Sequence, residues 1–580
     1  DGSSGDDDAL APERVRRWRD PRGAYVHAMQ ELLWGDMHWR ISGISSDGAL
    51  SLEGGWQNNR PTARHPVYRY VENVREELDA PGEWFYDAAA GKLYAIPLEG
   101  TDLRRAEIET VVLRKLLEIA GEPGGRLAAG VRVRNVTFRH AARTFMDTRE
   151  RILRSDWALY RGAAVEIRNA RGCVFENCRF ESLGGNAMIF DGRCADCRVE
   201  GCAFTETGAS GILFLGACDA VRVPIFDYAQ TAEMATVDRT PGPANDNYPR
   251  DCTVDDCLFY RTGREEKQSA GISIDIAARI TVRNCTIAFV PRAGINIGDG
   301  AFGGHLIEGC DVFDTVLETG DHGAFNSWGR DRWWSASLEF DDATMDERPE
   351  LLRADMLKRN TLRANRWRCN YGWDIDLDDG SSFYTIEDNV CLAGGIKLRE
   401  GFGRVVRGNW CLNNGLHPHC WLKDSGDVVT NNVFFAPFAP VWHGPWRGLL
   451  TAPNKYVMPG EEESYPQPER EFGVRSARMR KLRHSLFSGP EIPEARSRVG
   501  GPVAEEPERR EAGGMTWRRF NGPLEYSAYG VRADFEGWVL ESGAVEPFKD
   551  GDLVQGALPP DGSRFPVSAI RNQTGVELGR

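Results

Sequence analysis

Short apolar stretches recur through the middle of the chain in one register. Val131-Arg-Val-Arg-Asn-Val-Thr-Phe138 sets the alternation of apolar and polar positions. Cys173-Val-Phe-Glu-Asn-Cys-Arg-Phe180, Cys197-Arg-Val-Glu-Gly-Cys-Ala-Phe204 and Cys252-Thr-Val-Asp-Asp-Cys-Leu-Phe259 repeat it. Ile280-Thr-Val-Arg-Asn-Cys-Thr-Ile287 and His305-Leu-Ile-Glu-Gly-Cys-Asp-Val312 follow. The later copies are Tyr384-Thr-Ile-Glu-Asp-Asn-Val-Cys391, Arg404-Val-Val-Arg-Gly-Asn-Trp-Cys411 and Val428-Val-Thr-Asn-Asn-Val-Phe434. The sixth position is Cys or Asn in nearly every copy, and within each run the sixth positions lie 20 to 28 residues apart. Many copies continue to a second short strand, as in Gly211-Ile-Leu-Phe-Leu215 and Gly294-Ile-Asn-Ile297. Alternation of this kind predicts strands with one buried face. A period of this length with two or three strands per repeat predicts a parallel β-helix. The Asn or Gly beside each sixth position marks a sharp turn, where left-handed dihedrals are tolerated. A leucine-rich repeat would need a Leu-rich consensus and a helix per repeat, and neither is present. The expected fold is all-β, a right-handed parallel β-helix with an N-terminal mixed region and a small C-terminal β-rich unit.

The pattern divides the chain. Residues 1–125 read as a mixed, β-containing region packed on the solenoid. Within it, Glu83-Trp-Phe-Tyr-Asp87 and Lys92-Leu-Tyr-Ala-Ile96 flank a Gly91 turn and predict a hairpin. Residues 126–440 form the predicted solenoid, with insertions at 217–250 and 316–364. Long insertions on a rigid scaffold tend to carry binding residues. Residues 441–520, rich in Pro, Glu and Arg, read as a wrapping helix and loop segment, and 521–580 as a small separate unit.

Composition narrows the partners. The net charge of −15, from 71 basic and 86 acidic residues, argues against a nucleic-acid backbone. No apolar run is long enough to span a membrane. Nothing in the pattern marks an oligomeric state. Of the 14 cysteines, only Cys194-Ala-Asp-Cys197 forms a CxxC, and most occupy one recurring place in the repeat. A zinc site would want two close pairs. The cysteines therefore read as small apolar residues stacked in the interior, with zinc or a disulfide or two as rivals.

One pair of stretches concentrates charge. Tyr371-Gly-Trp-Asp374-Ile-Asp376-Leu-Asp378-Asp379-Gly380 is followed by Gly395-Ile-Lys397-Leu-Arg399-Glu400, with Ile375 and Ile396 separated by 21 residues. Ile375, Leu377, Ile396 and Leu398 should point inward, and Asp374, Asp376, Asp378, Lys397 and Arg399 outward. Stacked as neighbouring strands, they set an acidic row beside a Lys/Arg/Glu row. Asp379 then lies level with Glu400, and Asp378 one step away. Strands about 4.8 Å apart would separate two such carboxylates by roughly 5 to 6 Å, near the spacing in a retaining glycosidase. One carboxylate would stay ionised as nucleophile or stabiliser of an oxocarbenium ion, and Glu400 would donate the proton. Lys397 and Arg399 should lower the pKa of Glu400 and the acidic row should raise it. The plain alternative is a cross-strand salt-bridge ladder. An EF-hand reading fails, because its sixth and twelfth places hold Asp379 and Thr385. A looser Ca2+ site from Asp374, Asp376 and Asp378 stays open; no other cofactor is expected.

A second constellation lies in the expected insertion at 316–364. Asp321, His322, Asn326, Arg330 and Arg332 stand among Trp328, Trp333 and Trp334. Aromatic faces beside planar hydrogen-bonding groups suit sugars. Trp373 and Trp421, with Lys397 and Arg399, extend this expected carbohydrate-binding set.

At these residues the chain resembles known families. The carrying motifs are Trp34-Gly-Asp-Met-His-Trp39, Gly55-Trp-Gln-Asn-Asn-Arg60, Leu78-Asp-Ala-Pro-Gly-Glu-Trp84, residues 320–334 and residues 374–400. Residues 18–435 resemble bacterial right-handed parallel β-helix proteins of carbohydrate-degrading systems, and are most similar to glycoside hydrolase family 141. The resemblance implies α-L-fucosidase or xylanase activity on plant or algal glycans and a periplasmic or secreted location. A more distant similarity is to family 120 β-xylosidases, which pair an Asp nucleophile on one coil with a Glu acid/base on the next. That pattern implies Asp378 as nucleophile and Glu400 as acid/base, with Asp376 and Asp379 as alternates; spacing alone would choose Asp379. The chain departs from it by one residue in spacing, and Arg399 competes for the register. The C-terminal end resembles a degenerate PDZ unit through Gly530-Val, Val539-Leu-Glu-Ser542 and Lys549-Asp-Gly-Asp-Leu-Val554. Such a unit implies peptide binding by strand addition, or capping of the solenoid edge. Two rival functions stand beside the hydrolase. One is a calcium-dependent polysaccharide lyase using Lys397 or Arg399 as base, and the other a non-catalytic glycan-binding β-helix.

Overall fold

The computed structural model describes residues 8–434 except 61, 299–301, 370, 412–413, 420–424 and 431, and three later strands at Arg509–Ala512, Met515–Tyr526 and Val531–Ser542. The repeats stack into three parallel sheets of ten strands each, the right-handed parallel β-helix expected from the period. The predicted pairing of the charged stretches holds: Ile375, Asp376 and Leu377 lie opposite Ile396, Lys397 and Leu398.

Each sheet is fixed by a row of inward side chains at one register. Phe138, Phe180, Phe204 and Phe259 stack on successive coils with ring centroids 5.2, 4.5 and 4.7 Å apart. These separations match the strand spacing, so each ring covers the next. The turn after each repeat strand is also built by register. Asn177, Gly201, Asp256, Asn284 and Gly309 all take left-handed dihedrals, as their residue types predict. The sixth position then turns inward. Cys178, Cys202, Cys257, Cys285 and Cys310 form one buried row, and the 13 described cysteines are all free.

In the later coils asparagines take over this row. The backbone N–H groups of Cys310, Asn365, Asn389 and Asn409 each donate to the side-chain oxygen of the asparagine one coil on, at 2.9 to 3.0 Å. A buried amide that satisfies the next coil's turn is a polar ladder with its donors and acceptors used.

Two expected boundaries move. The ladder already begins at Leu117–Ala120, inside the stretch assigned to the N-terminal region. The expected insertion at 316–364 is solenoid at its two ends: His322–Ser327 and Asn360–Arg363 are ladder strands, and the chain between them departs from the coil. The copy at 360–365 was hidden because Ala364 stands where the turn usually has Asn, Asp or Gly; it still takes a left-handed φ of 57°. No ladder strand falls between Ile212–Leu215 and Thr253–Asp255, and the chain leaves the coil there.

The N-terminal region forms an antiparallel sheet in the order Leu50–Gly54, Asp36–Ile44, Tyr25–Gln30, Arg64–Glu72. The predicted hairpin is present, Trp84 facing Ala95 and Asp87 facing Lys92. Buried polar contacts dock this sheet on the solenoid. The Lys267 N–H donates to Asp36 Oδ1 at 2.9 Å, and Gln57 Nε2 donates to the Phe145 carbonyl at 2.9 Å. Docking there holds Trp34 and Arg60 over the coils. Beyond the solenoid, the three later strands form an antiparallel sheet, with Met515–Tyr526 paired to both neighbours. Among the described residues no helix is long and apolar enough to cross a membrane.

Candidate active site

The chemistry gathers where one sheet of the solenoid meets the N-terminal region and the 217–250 excursion. The strands Ile295–Gly298, His322–Ser327, Gly372–Leu377 and Ile396–Leu398 lie side by side there. Their register aligns Asn296, Asn326, Asp376 and Lys397 in one outward row. Phe325, Ile375 and Ile396 fill the interior in an adjacent row.

Above this sheet is a cavity of about 390 Å³. Of the residues expected from sequence, Asp321, His322, Asn326, Trp328, Arg330, Asp378, Asp379 and Arg399 line it. Residues that sequence reasoning did not single out complete the wall: Trp34 and Arg60 from the N-terminal region, Asp156, Tyr228 from the excursion, and Arg292. Trp34 and Arg60 belong to motifs that carry the family resemblance, and Tyr228 to a predicted insertion, so each left a signal. Asp156 and Arg292 sit in turns between strands and left none.

The other expected residues are placed elsewhere. Glu400 and Asp376 are buried behind the cavity wall. Lys397 is fully buried, its ammonium 4.1 Å from the centre of the Trp373 ring. Trp373 is itself held by its indole N–H, which donates to His417 Nδ1 at 3.1 Å. Trp333 is a core residue packed on Phe402, and Arg332 binds Asp355 away from the cavity. These two therefore belong to the packing beneath the site. Trp421 lies outside the described residues.

The carboxylates differ sharply in their surroundings. Burial works to raise the pKa of Asp378, but Lys397 and Arg399 overcome it and hold the group well below the usual carboxylate range. Lys397 Nζ stands 3.2 Å from Asp378 Oδ1, and Arg399 Nη1 donates to the same oxygen at 3.1 Å. Burial dominates at Glu400 and pushes it up to about 7, opposed by Arg399 and assisted by the nearby Asp379 charge. Glu400 accepts from the Trp334 indole N–H and from Arg399 Nε, each at 3.1 Å. Asp379 is gripped by Arg330, whose Nε and Nη2 approach Oδ2 at 2.9 and 2.7 Å. Burial also keeps Asp376 well above its ordinary value despite Lys397 at 3.2 Å.

Asp374 has a structural task. It accepts from the backbone N–H groups of Cys369, Ala393 and Gly395 at 2.7, 2.8 and 3.2 Å, stapling adjacent turns. The Asp374, Asp376 and Asp378 run does not fit a calcium ion, because Asp374 is committed to amides and the Lys397 ammonium is shared by the other two.

His322 is a neutral cavity residue. Burial and then Arg292 hold it well below its ordinary pKa. Its Nε2 accepts from Arg292 Nε at 3.2 Å, so the ring proton sits on Nδ1 and is donated to Thr319 Oγ1 at 3.0 Å.

Comparison with known proteins bears on the fold. No protein-family model matches the chain, and no curated protein matches it. A solved glycoside hydrolase is 18% identical with a TM-score of 0.51, over 73% of this chain and 71% of its own. XylC in complex with xylose is 9% identical with a TM-score of 0.34, over 93% and 82%. A PL6 alginate lyase in complex with a trisaccharide is 12% identical with a TM-score of 0.31, over 57% and 62%. The first of these supports the β-helix architecture; the likeness does not extend to family 141 or to a PDZ-like unit.

Proposed function

We propose that this chain is a glycoside hydrolase whose substrate enters the 390 Å³ cavity. One observation carries the reading: two carboxyl groups on adjacent coils share Arg399, yet their surroundings drive their pKa values apart. A pair split in this way supplies an anion and an acid at the same pH, which is what glycoside cleavage needs. Asp378, ionised and on the wall, is assigned as nucleophile or stabiliser of the oxocarbenium ion. Glu400, protonated near neutrality, is assigned as the acid. It is covered by Arg399 and Trp334 in the free protein, so substrate must draw Arg399 aside for proton transfer. The adjacency of the two coils favours retention of configuration.

The cavity wall supports a sugar ligand. Trp34, Trp328 and Tyr228 bring aromatic rings to it, and Asn326 a planar amide. Elimination is less well supported. Lys397, one proposed base, is buried off the cavity, and although burial opposes it, Asp376 and Asp378 hold its ammonium charged well above the usual range.

The substrates implied are α-L-fucosides and xylan-type linkages in plant or algal material, met outside the bacterial cytoplasm. The experiment is a screen of aryl fucosides, xylosides, arabinosides and galactosides with wild type and Asp378→Asn. Release of the aryl group by wild type and its loss in the variant support the reading. Equal release by both removes Asp378 from the mechanism.

A further inference from the structure

The charged groups of the cavity can be followed pair by pair. Asp156 meets Arg60 at 2.8 Å and Arg330 at 3.2 Å. Asp379 meets Arg330 at 2.7 Å and Arg399 at 3.1 Å. Asp378 is held by Arg399 and Lys397, and Asp321 Oδ1 lies 3.6 Å from Lys397. Every wall carboxylate is thus matched to a cation other than Arg292.

Arg292 is the exception among the wall arginines. It is buried, lines the cavity, and forms no ion pair among the described residues. Its Nε donates to His322, its Nη1 to Asn296 Oδ1 at 3.0 Å and its Nη2 to Asn326 Oδ1 at 3.3 Å. All three acceptors are neutral, and a guanidinium has five N–H donors, so two remain unused. Trp157 lies against it with the ring centre 4.2 Å away, and Trp328 at 5.7 Å. Burial pulls its pKa down to about 9, partly offset by the more distant Asp156, Asp376, Asp378 and Asp275, and it stays charged at neutral pH. A buried cation with no counter-ion in contact is costly unless a ligand supplies one. The neighbouring rings and amides fix its plane, which suits two-point binding of a carboxylate or sulfate.

We propose that Arg292 is the recognition point for an anionic substituent, a carboxylate or a sulfate ester, on the sugar bound in this cavity. The proposal rests on the reading of the cavity as a glycan site and names its substrate class. It places uronic-acid or sulfated sugars ahead of neutral ones, although the protein as a whole is acidic at −15. The positive charge concerned is that of Arg292 alone, since the wall as a whole sets four arginines against four aspartates.

The test is calorimetric binding with the full chain carrying Asp378→Asn, which separates binding from turnover. The probes are uronate-bearing oligosaccharides, the same oligosaccharides after carboxyl reduction, sulfated oligosaccharides, and the same after desulfation. Arg292→Gln keeps hydrogen-bonding capacity without charge; Arg292→Lys keeps charge without the fork. Circular dichroism of both variants checks that the solenoid is intact. At least one charged ligand should bind about tenfold or more tightly than its neutral counterpart. Arg292→Gln should erase that difference and Arg292→Lys should keep part of it. The pair that shows the difference identifies carboxylate or sulfate. Equal binding of charged and neutral forms, binding of neither, or a preference that survives Arg292→Gln would overturn the proposal. Selective binding without any cleavage by wild type would leave it standing and refute the hydrolase reading instead.

Discussion

Lys397 sets its ammonium 3.2 Å from Asp378 Oδ1 while remaining fully buried behind the cavity wall. A cation placed there acts on Asp378 without competing for the substrate. Burial tends to raise the Asp378 pKa, and Lys397 heads the opposing charges that hold it low. Lys397→Met should therefore let the Asp378 pKa rise. Activity that needs ionised Asp378 would then fail at a higher pH than in wild type. The measurement is the acidic limb of kcat/KM against pH, which should move upward in Lys397→Met and stay in place in a control variant at an exposed lysine. The same change leaves Asp376 without its closest cation, so a loss of roughly 3–5 kcal/mol in stability is expected beside it.

Glu400 gives a second pH prediction. Burial raises it to about 7, so as an acid it is available below that pH and lost as pH rises through it. The descending limb of kcat/KM should fall near pH 7 and vanish in Glu400→Gln. Glu400→Gln should also cost about 10²–10⁴-fold on glycosides with poor leaving groups and far less on those that depart without a proton. Equal losses on both substrate types would assign the acid elsewhere, with Asp379 the first alternative on the wall.

The asparagine ladder predicts a stability effect far from the chemistry. Asn389 accepts from the Asn365 N–H at 3.0 Å and donates to the Leu362 carbonyl at 2.9 Å. Asn389→Ala removes these bonds together with those to Asn365 Nδ2, Trp367 Nε1, the Glu387 carbonyl and Asn409 Oδ1, and each buried group left unsatisfied should cost about 1–3 kcal/mol. Urea unfolding should show a lower midpoint with catalysis unchanged in the folded fraction.

The buried carboxyl of Glu266, beside Lys267, should make the stability of the protein depend on pH. Burial raises Glu266 to about 7, with a hydrogen bond from Thr148 opposing the shift. An unfolded glutamate titrates near 4.3. Glu266 therefore binds its proton more tightly when folded, and its stabilising contribution is full below about 4.3 and lost as pH rises through about 7. Glu266→Gln should flatten this part of the stability–pH curve. An unchanged slope between those values would mean that Glu266 does not hold its proton more tightly in the folded protein.

The coils and the register of the charged strands were legible because a solenoid writes its structure locally. Each repeat carries its own inward residues and its own turn, so Ile375 and Ile396 could be paired from spacing alone. The strand Asn360–Arg363 carries no such signal, because Ala364 stands where the other turns have Asn, Asp or Gly. The site was legible only in part. Side chains on ladder strands, such as Asn326, follow from periodicity. Arg292 and Asp156 come from turns whose approach to the cavity depends on how distant segments dock. Sequence alternation also could not separate wall from underlayer. Asp376, Lys397 and Asp378 read alike along the strand, yet among the three only Asp378 lines the cavity.

Cleavage of a glycosidic bond by water with Asp378 engaged is what the proposed function requires. The most direct measurement is product analysis after incubating a cleaved glycan in isotopically labelled water, with wild type and Asp378→Asn in parallel. One labelled oxygen is expected at the new anomeric carbon with wild type, and no product with the variant. Unlabelled, unsaturated uronate products, or undiminished cleavage by Asp378→Asn, would contradict it.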